Sequence, residues 1–300
     1  MCNINHFSYE LTHTSYFMNK LDEVMTWIRN ININVDISRY SRYKAYIDDF
    51  YAPKNLENYK KTGSLDEMEV RFKKLNEAAQ ECFHLVQIYD AFKDENSNGL
   101  RERLRKVIAG SDFFDSNKSA DSARDFLYEV LVGSWFKSKW GYNIDFDNLT
   151  DVVASKRNIV VYIECKRIKS IKTLEQNLKK ACKQLSLVHD TPTNTNKKLV
   201  FIDVYNCISD KLPDYEYATI AEMKIKVDDV LKNDFFKQKE ALIEDILTSN
   251  LQHTMGVAFT TVRCLWLSNV TPQLYQNYKV RTSSKISDKS FKELHNIFME

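Results

Sequence analysis

Residues 149 to 167, Leu-Thr-Asp-Val-Val-Ala-Ser-Lys-Arg-Asn-Ile-Val-Val-Tyr-Ile-Glu-Cys-Lys-Arg, limit what this chain can fold into more than any other stretch. Two β-branched runs flank Ser155-Lys156-Arg157-Asn158, a polar set with the character of a turn, which predicts a β-hairpin. Alternate side chains on a strand share a face. Glu164 and Lys166 therefore project together, while Ile163, Cys165 and Arg167 take the other side. Folding the hairpin back across residues 156–158 carries Asp151 toward the Glu164 end of the partner strand. Two carboxylates and one ammonium then converge at the end of an apolar strand, which is costly unless something binds there. A solvated Glu164 and Lys166 pair on an exposed strand is the plain alternative, but the flanking Ile-Val-Val-Tyr-Ile run argues for a buried strand.

The balance of 43 Lys and Arg against 41 Asp and Glu says little by itself, because the charges are unevenly placed. Residues 151–200 hold eleven basic side chains against four acidic ones, a local excess suited to a polyanionic partner. The six cysteines are scattered without a Cys-x-x-Cys pair, which predicts buried free thiols and a reducing compartment. The first residues lack the basic and apolar regions of a secretory signal, and no apolar run approaches the ~20 residues that span a bilayer. A cytoplasmic protein with no membrane partner is the expectation. The six histidines show no metal-ligand spacing, and the six glycines form no phosphate-cradling loop, which argues against a zinc enzyme, an ATPase or a dinucleotide enzyme.

Residues 1–118 read as a mostly helical domain for substrate recognition, partner binding or dimerisation, and 119–300 as the domain that carries chemistry. In the first, apolar spacing predicts helices over 9–30, from Ser64 to Phe92 behind a capping box, and over 100–108. The polar connector 109–120 is the boundary between the two. Arginine and tyrosine interleave at 39–46, which suits either base stacking or a helix face of long side chains covering a core edge. In the second, helices are expected over 121–140 and 172–188, strands over 197–205 and 257–268, and one or two helices over 218–249. The buried face of that last segment includes Ile225, Val230, Leu231, Phe235, Leu242, Ile246 and Leu247, and a closing helix is expected over 287–299.

Asp151, twelve intervening residues, then Glu164-Cys165-Lys166, resembles the catalytic core of the PD-(D/E)XK nuclease superfamily. Glu129 on the preceding helix, and Gln176, Lys180 and Gln184 on the following one, extend the likeness over residues 120–205. Thr150 stands where the family carries proline, and Asp145 and Asp147 are nearby competitors for the role of Asp151. The resemblance implies an α/β fold with a restriction-endonuclease-like mixed β-sheet core flanked by helices. It also implies a hydrolase: a metal-binding, DNA-binding nuclease, with DNA favoured over RNA and endonuclease over exonuclease, in a setting such as phage defence or restriction.

Phosphodiester hydrolysis needs an activated water and a counter-charge for the transition state. Mg²⁺ or Mn²⁺ prefers oxygen ligands, which Asp151 and Glu164 would supply; the resemblance implies the carbonyl of Cys165 as a third donor, and Glu129 would complete the set directly or through water. Lys166 would orient or help deprotonate the water, and Gln184 would hydrogen-bond the water or a phosphate. A structural ion pair is the alternative for Glu129, a strand start for Asp151 and simple solvation for Gln184. For the whole chain, the alternative is a nuclease-like module that binds nucleic acid or protein without cutting, and a protein partner or homodimer would engage the helical segment.

Overall fold

The run from Ile159 to Ile163 becomes the first half of a strand, and the order of the sheet follows from what covers that strand on each side. A computed structural model describes residues 7–10, 14–52, 65–113, 122–189, 196–212, 217–266 and 272–299. The strands are β1 (Phe7–Glu10), β2 (Asn143–Asp145), β3 (Val152–Lys156), β4 (Ile159–Arg167), β5 (Asn196–Asp203), β6 (Gly256–Trp266) and β7 (Pro272–Arg281). They form one mixed sheet in the order β1-β7-β6-β5-β4-β3-β2, in which β4, β5 and β6 run parallel and the other neighbours antiparallel. The longer helices are α1 (Thr14–Asn30), α2 (Arg39–Tyr51), α3 (Leu65–Phe92), α4 (Asn98–Ile108), α5 (Ser122–Trp140), α6 (Leu174–Ser186), α7 (Ile220–Val230), α8 (Lys237–Ser249) and α9 (Asp288–Met299).

The hairpin is tighter than expected. Ser155 and Lys156 still pair in β3, so Arg157 and Asn158 alone make the connection, and Arg157 adopts a φ of 51° in the left-handed region. Parallel pairing forces crossovers, and these cover both faces. On one face α1 to α5 and α9 meet Ile163, Phe201 and Ala258; on the other α6, α7, α8 and the π-helical turn Leu231–Phe236 meet Val200, Ile202, Val257 and Phe259. Leu199, Val200, Phe201 and Ile202 are consequently all fully buried, the continuous apolar run of a strand enclosed on both sides.

The first core is continuous across residue 118: Phe17, Leu21 and Leu75 belong to the same cluster as Leu131, Ile163 and Phe298. The helical segment and the sheet thus share one interior, and β1 itself pairs with β7. The connector at 109–120 and the capping box at Ser64 fall largely outside the described residues.

Several expectations need correction. Tyr9 and Glu10 lie in an edge strand, and helix α1 starts at Thr14. Ile225 is 67% exposed, because α7 buries Met223 and Val227 and the π turn then shifts the phase before Phe235 and Ile246. Strands β2 and β7 were not anticipated. Arg39, Tyr40 and Tyr43 on α2 are fully buried, which removes them from any base-stacking surface. The described cysteines are all free, and Cys82, Cys165, Cys182 and Cys264 are buried. Among the described residues, no helix is long and apolar enough to cross a membrane.

A buried ion network joins the helices. Glu81 of α3 lies between Arg39 of α2 at 2.8 Å and Arg124 of α5 at 2.5 Å, and Arg124 also reaches Glu77 at 2.6 Å. Removing the shared carboxylate leaves two guanidiniums in the interior. Glu81→Leu is expected to cost about 3–5 kcal/mol in unfolding free energy by urea titration, and a loss under ~1 kcal/mol would show that the network carries little.

Candidate active site

The hairpin register decides which acid joins the site. Val152 pairs with Ile163, so Asp151 stands across from Glu164 just before the start of β3. Its Oδ2 accepts the backbone N–H of Cys165 at 2.8 Å, so the side chain extends the ladder by one step ahead of the strand. The competing aspartates are otherwise engaged. Asp147 accepts the Gly99 N–H at the start of α4, and Asp145 accepts the Asp147 N–H and the Asn148 amide within its own turn.

Lys166 is the hub. Its Nζ donates to Glu164 Oε2 at 2.9 Å, to the Cys165 carbonyl at 3.0 Å and to Asp151 Oδ2 at 3.3 Å. Three oxygens, two from consecutive residues of β4 and one from the residue just before β3, thus converge on one positive centre. The Glu164 side chain is only 1% exposed, and its other oxygen, Oε1, is buried without a hydrogen-bond partner. Such an orphan costs on the order of 1–3 kcal/mol.

Glu129 arrives from α5, buried to 8% exposure, and is held by an arginine that sequence reasoning missed. Arg103 of α4 donates through Nε to Glu129 at 2.9 Å, through Nη1 to the Phe146 carbonyl at 2.5 Å and through Nη2 to the Asp151 carbonyl at 3.0 Å. One guanidinium fork therefore ties α4, α5 and the segment that delivers Asp151. The signal was weak, since Arg103 sits in Arg101-Glu102-Arg103-Leu104-Arg105-Lys106, where no basic residue stands out. The structure brings Asp151, Glu164, Cys165, Lys166 and, through Arg103, Glu129 to one end of the sheet. It does not join Gln184 to them: its Oε1 is buried and has no hydrogen-bond partner.

The electrostatics follow from burial. Burial pushes the Glu164 carboxyl up to about 7, with the Asp151 charge adding to it and the Lys166 ammonium opposing. Burial likewise lifts Glu129 to about 7, again with Asp151 adding and Arg103 opposing. Burial alone would lower Lys166, but Asp151 and Glu164 outweigh it and hold the ammonium above its ordinary range. Among the described residues, no three His, Cys, Asp or Glu side chains are already spaced to hold a metal ion. The donor set that fits a hard divalent cation is instead Asp151, Glu164 with its orphaned oxygen, and the Cys165 carbonyl, which the Lys166 ammonium now engages.

Two outcomes test this geometry. The folded chain holds protons on Glu129 and Glu164 that the unfolded chain releases near pH 4.5, so both groups erode stability as pH rises from about 4.5 to about 7. Glu164→Gln is expected to lose less melting temperature than the wild type between pH 5 and pH 8 in chelator, and equal slopes would contradict the buried, proton-holding carboxyl. Arg103→Met leaves Glu129 without its cation and is expected to cost on the order of 3 kcal/mol by urea unfolding, with Arg103→Lys recovering part of it.

No family model and no curated protein matches this sequence.

Proposed function

We propose that the chain is a metal-dependent nuclease with a PD-(D/E)XK, restriction-endonuclease-like site that hydrolyses phosphodiester bonds, in DNA rather than RNA and by internal cutting. The observation that carries the proposal is the convergence of Asp151 Oδ2, Glu164 Oε2 and the Cys165 carbonyl on one cationic point. Mg²⁺ or Mn²⁺ held by these groups would supply Lewis-acid activation of the attacking water and of the phosphate. To hold the ion, Glu164 would have to be deprotonated, its proton passing to solvent, and the Lys166 ammonium would have to leave the Cys165 carbonyl. Lys166 would then be available to orient the water and to offset charge developing on the phosphate oxygens. Glu129 remains tethered to Arg103 and acts through water or as a proton acceptor. Lys169 and Lys172, both exposed just beyond β4, add positive potential along the approach. Phage defence or restriction is the setting this chemistry suits.

One observation favours a second reading. Lys166 and Arg103 already neutralise the acids from within, as in a module that retains the fold and binds nucleic acid or a protein partner without cutting. Supercoiled plasmid and a structured RNA, each incubated with Mg²⁺ or Mn²⁺, separate the two. Metal-dependent nicking that falls at least ~100-fold in both Lys166→Ala and Glu164→Gln, with far-UV circular dichroism unchanged, supports the nuclease. Cutting that survives Lys166→Ala would sink the site assignment, and binding with no cutting under any metal would establish the inert module.

A further inference from the structure

A cavity of about 380 Å³ opens between α3, α5 and the carboxyl ends of β4 and β5, and none of the chemistry above uses it. Helix α5 borders both this cavity and the candidate active site. Arg124, Leu127, Tyr128 and Leu131 recur at the spacing of one helical stripe and line the cavity, whereas Glu129, one residue further round from Tyr128, faces Arg103. Its size lies in the range of small-molecule sites.

The lining selects a chemistry. Three cationic and three anionic side chains line it, so their formal charges cancel. Arg124 is bound to Glu77 and Glu81, and Arg167 to Asp203 at 3.2 Å. Those guanidiniums are committed to carboxylates, which disfavours phosphate as the ligand. Leu127, Leu131 and Val262 give an apolar wall, and the Tyr128 ring adds to it because its hydroxyl is satisfied by Thr260 at 2.6 Å. Facing the space from α3 is His84, 7% exposed, whose Nε2 is buried with no hydrogen-bond partner. Burial, helped by Arg167 and Arg39, lowers its pKa to about 3, so the ring is neutral at physiological pH and Nε2 is a neutral hydrogen-bonding group. Gln80 and Asn206 add uncharged amides.

An apolar wall opposite an uncharged hydrogen-bonding edge suits a flat heterocycle, which needs dispersion contact on its faces and donors or acceptors at its rim. We propose that this cavity binds an uncharged heteroaromatic ring of nucleobase or nucleoside size, its faces against Leu127, Leu131 and Val262 and its edge on His84. A base turned out of a polynucleotide and a free nucleoside share that chemistry. The proposal is independent of phosphodiester cleavage, since no residue of the candidate active site lines the cavity.

Isothermal titration of the full chain with adenosine, guanosine, cytidine and uridine, alongside ribose and inorganic phosphate, tests it. Saturable binding of at least one nucleoside is expected, weakened ~10-fold or more by His84→Phe, which removes the ring nitrogen and fills space. Asn206→Trp narrows the same cavity from a half-buried position in the short helical turn Tyr205–Ile208 and keeps the test decisive if His84→Phe unfolds. Lys166→Ala should bind the nucleoside as the wild type does, so failed cleavage with intact binding bears on the active site alone. An oligonucleotide carrying 2-aminopurine separates the sources: fluorescence that rises with wild type and not with His84→Phe identifies an extruded base, and nucleoside binding without that rise identifies a free ligand. Binding of phosphate or ribose alone, nucleoside binding unchanged in both cavity variants, or no nucleoside binding overturns the proposal.

Discussion

The arrangement turns on β4 being enclosed by helices on both faces and still ending in charge. Val161 and Ile163 are fully buried, and so is Glu164, which must therefore find its partners within reach of the strand itself. Lys166, two residues on and on the same face, is the nearest cation the geometry can offer, and it satisfies one carboxylate oxygen and leaves the other bare. Everything else at this end of the sheet answers that deficit. Asp151 shares the ammonium, the Cys165 backbone is drawn into the same set of contacts, and Glu129 is kept apart from the two acids by a cation of its own.

The helical half of the chain sets this geometry. Helix α4 contributes Arg103, whose fork fixes the carbonyl just before β3 and so limits where the Asp151 side chain can point. Helix α3 carries Glu81, through which α2 and α5 are locked together, and α5 in turn presents Glu129 on one side and the cavity stripe on another. A buried ion pair contributes little net free energy but punishes misplacement, because either partner alone is a charge in the interior. The network thus specifies the seating of α5 more than it adds to stability, and both regions that need polar groups aligned depend on that seating.

Much of this was legible in the sequence, and the limits have physical causes. The hairpin, the shared face of Glu164 and Lys166 and the approach of Asp151 follow from period-two alternation alone, and the structure joins those three side chains. The choice of Asp151 over Asp145 and Asp147 did not follow, because it depends on the register Val152 to Ile163 and on α4 claiming Asp147 as a backbone acceptor. Arg103 was invisible for a similar reason: its partners lie 26 to 48 residues away, and local pattern carries no record of them. Ile225 misled because helical phase was extrapolated through Leu231–Phe236, where a π turn resets it. Strand β7 escaped notice although Leu274, Gln276, Tyr278 and Val280 share a parity, since a polar member blurs the alternation.

Both regions of interest lie where β4 and β5 end, and parallel pairing explains why. Strands that run the same way release their last carbonyls and side chains at one edge, where connections leave the sheet and open space is left between helices. Arg167 marks the divide. It follows Lys166 directly, so it must face the opposite side of β4, where it meets Asp203 across the register while Lys166 serves the acids. A single step along the backbone thus sends one cation to the carboxylate cluster and the next to the wall of the cavity, on opposite faces of β4. Moving the register of β4 by one residue would exchange those assignments and bring Arg167 against Glu129 and Asp151. The apolar residues that pin the register, Val161, Ile163 and the run of β5, therefore determine the chemistry at the strand end as much as the charged residues do.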